Sequence, residues 1–318
     1  MDFSVAWHAI ESVLSLAAVG FLGYVLAGRG WFTDGSTILL ARLVTVVTLP
    51  IYLFYTIRTS FTHDELIRLA SGSLLPFFSI VLTLAASLAA ARLLRVPSQR
   101  RGPFCCAFSF SNTIFIGLPV NLALFGPQAV PSVLLYYFGN TVLFWTVGNS
   151  MIAASGEGER APLCSKTTLK NIFSPPLIGF ILGVTALLLY IPFPPFLERA
   201  AQSVGSLTTP LVLICLGVTL RGMALRAIRP DRELVCVLFG RFILCPLLIY
   251  ALTALFPVPD LMRKVFVIQA SLPTIASLSV LAAHYRTDSA YGAVLTATTT
   301  LASLVTIPVF MMLLEHAG

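Results

Sequence analysis

The chain has 318 residues, of which 57% are hydrophobic and only 10% charged, with a formal net charge of +7. A soluble domain carries about 25% charged residues, so this composition excludes a water-soluble fold and predicts an all-α polytopic membrane protein. The apolar runs are continuous rather than alternating, which excludes a β-barrel. The basic balance fits Arg-rich cytoplasmic loops, so no nucleic-acid partner is expected.

The first residues, Met1-Asp2-Phe3-Ser4, include an acid and no basic segment. A cleaved signal peptide is not expected, and the first span serves as the insertion signal. Apolar runs predict ten spans, at 7–28, 36–57, 66–91, 103–124, 128–154, 169–191, 197–220, 233–256, 261–283 and 289–314. The split between the fourth and fifth is forced by length. Residues 102–156 carry no charge, and one helix through them would be roughly 80 Å long against a hydrocarbon core of about 30 Å. The turn between them falls at Phe125-Gly126-Pro127.

Orientation follows from Lys and Arg. With the N-terminus outside, thirteen of these residues fall in inside loops and five in outside loops, while Arg42 and Arg241 lie within spans. Both termini are therefore expected on the extracytoplasmic side of the plasma (inner) membrane. Arg42 and Arg241 start six or seven residues from the cytoplasmic ends of their spans. They are expected either to snorkel to the interface or to attract an anion.

The most hydrophilic stretch follows the fifth span, so the chain divides into a first five-helix half (1–155), a short cytoplasmic linker (156–168) and a second half (169–318). Five spans per half place the halves upside down relative to each other, an inverted-repeat layout. Thr48-Leu49-Pro50 and Thr208-Thr209-Pro210 occupy corresponding places. Val96-Pro97 matches Val258-Pro259, and the same offset sets Ser111-Asn112 against Pro273-Thr274.

Those last two pairs mark where chemistry is expected. The fourth span reads Ser111-Asn112-Thr113-Ile114-Phe115-Ile116-Gly117-Leu118-Pro119. A polar, helix-breaking segment at that depth is tolerated only against protein or a water-filled cavity. Crossed broken spans expose half-helix ends whose N–H groups favour an anion without a cationic side chain. Asn112 adds an amide, and Thr113, Thr274, Ser277 and Ser279 add hydroxyls. Gly117 permits close backbone approach and Pro119 frees a carbonyl. Pro50, Pro119 and Pro210 either shape packing or mark the site. Asn140 is a second amide expected to line the cavity, and Trp145 is either its aromatic wall or a packing residue.

No metal or cofactor is expected. Cys105, Cys106, Cys164, Cys215, Cys236 and Cys245 show no Cys-x-x-Cys spacing, and the four histidines are scattered. No Asp or Glu occurs in spans four, five, nine or ten before Glu315, so the buried carboxylate of a proton or sodium antiporter is missing. No mid-span Asp pair, zinc motif or Asp-rich motif suggests an enzyme.

The fourth-span segment resembles the signature of the auxin efflux carrier family, which includes plant PIN-type carriers and bacterial relatives that carry malonate or similar acids. Ser111 stands where PIN carriers have Pro. Gly28-Arg29-Gly30, Leu49-Pro50, Pro175-Pro176-Leu177-Ile178, Thr209-Pro210, Leu216-Gly217-Val218 and Leu272-Pro273-Thr274 extend the likeness over nearly the whole chain. The resemblance implies ten helices in an inverted five-plus-five repeat, with scaffold and transport domains each drawn from both halves and an elevator-like motion. It implies spans four and nine crossing near Asn112 and Pro273, Asn140 and Trp145 at substrate-contacting positions, and a homodimer. The reading is a non-enzymatic carrier of small organic anions in a lipid bilayer. The alternative is a sodium- or proton-coupled symporter or antiporter of the bile-acid or sodium–proton exchanger type.

Overall fold

In the computed structural model of the chain, large apolar side chains such as Phe78, Leu82, Leu182 and Leu247 are exposed, while Asn112, Asn140, Arg241 and Gln269 are buried. That inversion suits a lipid solvent, in which exposed Leu costs nothing and polar groups must find partners inside the protein. The structure describes residues 3–65, 72–157, 165–222 and 230–316.

In chain order the helices are α1 (Phe3–Gly28), α2 (Asp34–Leu43), α3 (Leu49–Ser60), α4 (Leu75–Leu93), α5 (Ser98–Ser109), α6 (Gly117–Phe125), α7 (Val130–Leu143), α8 (Asn149–Ser155), α9 (Lys166–Ile172) and α10 (Pro175–Leu188). They continue with α11 (Pro195–Ser206), α12 (Thr208–Gly222), α13 (Arg232–Phe239), α14 (Cys245–Leu255), α15 (Asp260–Ala270), α16 (Ser277–His284) and α17 (Ser289–His316). There is no strand among the described residues, only one isolated bridge.

Three joints are single wide turns with π-type hydrogen bonding: Val44–Thr48, Phe144–Gly148 and Gly240–Leu244. Two of them precede a proline at the second position of the next helix, Pro50 in α3 and Pro246 in α14. A proline ring clashes with the carbonyl four residues back, and a widened turn relieves that clash without ending the helix. The helix therefore runs on as Gly35–Ser60 and as Arg232–Leu255.

The count of spans differs from the sequence reading. Among the described residues, six helices are long and apolar enough to cross a membrane, with a seventh if α9 and α10 form one span. The expected spans at 103–124 and 261–283 are not single helices: α5 stops at Ser109 and α6 begins at Gly117, and α15 stops at Ala270 and α16 begins at Ser277. The expected third span starts at Leu75, with 66–71 outside the described residues, and most of the linker (158–164) also lies outside them.

The chain forms two compact units, each assembled from both halves of the sequence. The first comprises 1–71, 114–134 and 173–222, and the second 72–113, 135–172 and 223–318. In the first unit α1 lies along α12, and α10 and α11 pack on α3. In the second, α5 is held between α4 and α8, α14 packs on α15 and on α4, and α16 packs on α17.

Small residues set the closest approaches. At Gly217 of α12 a Cβ would fall onto the backbone of Gly20 and Tyr24 in α1. Overpacking of such a contact costs about 1–3 kcal/mol. Gly217→Val is expected to lower the melting temperature of the detergent-purified protein by several degrees. Gly222→Ala, where nothing lies within 4 Å of an added Cβ, is expected to leave it unchanged.

Candidate functional site

The break between α5 and α6 and the break between α15 and α16 pair with each other inside the second unit at Ser111 and Thr274. Ser111 and Thr274 form an antiparallel bridge. The Asn112 N–H donates to Pro273 O (2.9 Å) and the Ile275 N–H to Phe110 O (3.2 Å). Phe110, the residue that ends α5, is extended (φ −103°, ψ 131°). Backbone that leaves a helix inside a membrane must find other partners; here each broken segment is part of the answer for the other.

Side chains from neighbouring helices complete the accounting. Asn140 of α7 is fully buried and clamps Ser111 from both sides: its Oδ1 accepts from Ser111 N and its Nδ2 donates to Ser111 O, both at 3.0 Å. Thr299 of α17 does the matching service for the other break, its Oγ1 accepting from Thr274 N at 3.3 Å. Gln269, near the end of α15, donates through Nε2 to Thr113 O (3.3 Å). Ser271 turns back onto α15, its Oγ donating to Ile268 O (2.9 Å). Cys245 Sγ donates to Phe108 O (3.3 Å).

The last carbonyls of both half-helices converge on one cation. Arg241 has 0% exposure and donates through Nη2 to Ser109 O (3.3 Å) and to Ala270 O (3.2 Å). The snorkelling expected of this residue does not occur. Arg241 sits in the wide turn Gly240–Leu244, and at Gly240 a Cβ would fall onto the Phe108 ring. The turn can therefore press against the end of α5, and the guanidinium reaches inward to two carbonyl ends rather than outward to an interface. Arg42, at the end of α2, is exposed as expected.

Asn112 differs from all of these. It is 8% exposed, its backbone is held by the bridge, and among the described residues no hydrogen bond engages its side-chain amide. An amide offers two donors and an acceptor, and here all three are free at the break. Next to it stand Thr113 and buried Pro273 and Thr274, and the same unit holds Ser277, the first residue of α16. The opening N–H groups of a helix lack intrahelical partners and carry partial positive charge, which gives the start of α16 an attraction for anions. Trp145 is half-buried, edge-on to Phe144 (5.3 Å), which stacks edge-on to Phe110 (5.3 Å). It is one ring removed from the break.

The remaining sequence-marked residues belong to the first unit: Pro50, Gly117, Pro119 and Pro210. Pro119 and Pro210 are third residues of α6 and α12, and Pro50 is the second of α3. Pro119 follows the break, where first-turn N–H groups have no partner to lose, whereas Pro50 and Pro210 lie inside the continuous apolar helices Gly35–Ser60 and Pro195–Gly222. Gly117 O accepts from Asn121 Nδ2 (2.7 Å). Gln269, Thr299 and Asn121 were not singled out from sequence. Gln269 stands alone as an amide in an apolar run and Thr299 lies in the Thr298-Thr299-Thr300 cluster, which are the signals that mark them. Among the described residues no cluster of His, Cys, Asp or Glu could hold a metal, and the described cysteines are unpaired.

A family model described as membrane transport protein matches residues 8–311. The chain belongs to this family. It is the auxin efflux carrier family that the fourth-span signature resembles. The chain is similar to an uncharacterized transporter of Methanothermobacter thermautotrophicus, with 29% identity covering 96% of this chain and 98% of the relative. It is also similar to an uncharacterized transporter of Methanocaldococcus jannaschii, with 24% identity covering 87% of this chain and 88% of the relative. This auxin efflux carrier family member is a multi-pass membrane transporter.

The two amides of the site should respond oppositely to removal. Asn140→Leu strands the Ser111 N–H and carbonyl, at about 1–3 kcal/mol each, and is expected to destabilise the protein by about 2–5 kcal/mol in detergent unfolding. Asn112→Ala removes no hydrogen bond and is expected to melt within about 0.5 kcal/mol of the parent chain.

Proposed function

We propose that this protein is a secondary carrier that takes a small organic anion, a carboxylate, at the crossover of the two broken spans and moves it by alternating access. The observation that carries the reading is the free amide of Asn112. Asn140, Thr299, Gln269 and Arg241 each bond main chain at the crossover, whereas Asn112 is fixed by its main chain and its amide bonds none; the Ser111 and Thr274 hydroxyls of the bridge are unpaired as well. In a membrane interior an unpaired amide is costly, and a transported solute is the partner that justifies it. Asn112 Nδ2, the Thr113 and Ser277 hydroxyls and the N-terminus of α16 supply donors. Thr274 and Pro273 shape the floor, and Trp145 provides an apolar wall. Asn140 acts through Ser111, keeping the break in register rather than touching the solute.

The motion is elevator-like, with the unit that contains the crossover as the transport domain and the other as the scaffold. The construction of each unit from both halves of the chain supports this, as does the correspondence of the two breaks under the sequence offset. The halves are inverted five-helix repeats, both termini face the extracytoplasmic side of the inner membrane, and the scaffold forms a homodimer.

The test is reconstitution in proteoliposomes with a panel of mono- and dicarboxylates, following uptake and charge movement. At least one carboxylate is expected to be carried, with transport lost in Asn112→Ala while its membrane expression and melting stay normal. Transport by Asn112→Ala at the parental rate would remove the site from the crossover. A strict need for sodium or a proton gradient would favour the cation-coupled reading.

A further inference from the structure

We infer that the crossover contains a latent site for a small monovalent cation, permanently filled by the chain's own Arg241. The inference rests on the crossover being the transport site for its consequence in uptake, but not for its geometry. The ends of α5 and α15 are both C-terminal, and each helix end carries about half a negative charge. Two such ends together amount to about one negative charge, which one guanidinium cancels. Nη2 of Arg241 reaches Ser109 O at 3.3 Å and Ala270 O at 3.2 Å, so a single nitrogen serves both ends.

No other group does this work. Among the described residues no carboxylate pairs with Arg241, and its Nε and Nη1 make no hydrogen bond. A fully buried cation without a counter-ion is costly, and the two carbonyl ends are the acceptors it donates to. In carriers built on interrupted helices, the C-terminal ends and unwound carbonyls are where a transported sodium ion or proton is held. In this protein that position is occupied by a covalently attached charge. Arg241 is thus a positioning residue: it holds the two half-helices end to end and removes the electrostatic need for a bound cation.

Vacating the position exposes the site. Thermal unfolding of the purified full-length protein, compared in choline, sodium and millimolar guanidinium chlorides at equal ionic strength, reads this directly. The parent chain is expected to melt at the same temperature in all three. Arg241→Ala is expected to melt several degrees lower in choline and to recover in a saturable manner with sodium or guanidinium. In proteoliposomes, guanidinium is expected to restore uptake of any carboxylate the parent carries. A saturable sodium response of the parent chain would overturn the inference, as would an Arg241→Ala protein indifferent to both cations. If Arg241→Ala cannot be purified, Arg241→Lys decides. Parent-like melting without sodium dependence supports a requirement for charge. Failure of the lysine variant shows a requirement for guanidinium shape and overturns the inference. Because melting needs no solute, a cation response in a protein that carries no carboxylate would sink the transport reading and leave this one standing.

Discussion

A helix that stops inside a membrane leaves carbonyls with no water to accept from, and this protein stops two of them at the same place. The ends at Ser109 and Ala270 meet one guanidinium, that of Arg241, and the rest of the second unit follows from that meeting. Gly240 is required for the helix Arg232–Leu255 to come close, because any Cβ there would fall onto the Phe108 ring. The wide turn at Gly240–Leu244 aims the side chain. The bridge between Ser111 and Thr274 then pairs the backbone just beyond the two ends, and Asn140 and Thr299 take the groups the bridge leaves over. With the Arg241 contacts removed, two buried carbonyl ends would face each other with like partial charge.

Once the backbone is accounted for, the polar side chains sort by whether they are engaged. The side chains of Asn140, Thr299, Gln269 and Arg241 hold main chain; among the described residues no hydrogen bond engages that of Asn112. A broken span is costly in hydrocarbon, and a fold that compensates the backbone of the bridge while leaving the Asn112 amide and the Ser111 and Thr274 hydroxyls free has separated the task of making a site from the task of using it. Precise placement matters more than the number of polar groups, because a site is only as specific as the shell that supports it.

Much of this was legible in the sequence. Charge content and continuous apolar runs specify a helical membrane fold, and the polar interruption at Ser111-Asn112-Thr113, together with an offset match at Pro273-Thr274, locates both breaks. The destination of each side chain was not legible. Asn112 and Asn140 are the same residue type in the same kind of span, and only the geometry of Ser111 tells which is engaged. Arg241 stands close to the expected end of an apolar run, where snorkelling is the usual expectation. What reverses it is a non-local fact, the arrival of two helix ends from 132 and 29 residues away. The setting of each proline was not legible either: spacing cannot tell Pro119, in the first turn after a break, from Pro50, which follows a wide turn inside the helix Gly35–Ser60.

The buried position of Arg241 also bears on how a carrier lets go of its cargo. A guanidinium presented directly to a carboxylate forms a two-pronged, charge-assisted pair, a strong grip that a carrier must break on every cycle. Here the hydrogen-bonding of Arg241 goes to the main chain, and the solute meets an amide, hydroxyls and a helix N-terminus. On the proposed reading, the cation stabilises the scaffold of the site, and the solute is held by groups weak enough to release it. In α5, α15 and α16 the one carboxylate is Asp260, at the opposite end of α15 from the crossover, which fits the same arrangement: a carboxylate at the crossover would neutralise Arg241, leave the helix ends bare and repel the anion the site is built to admit.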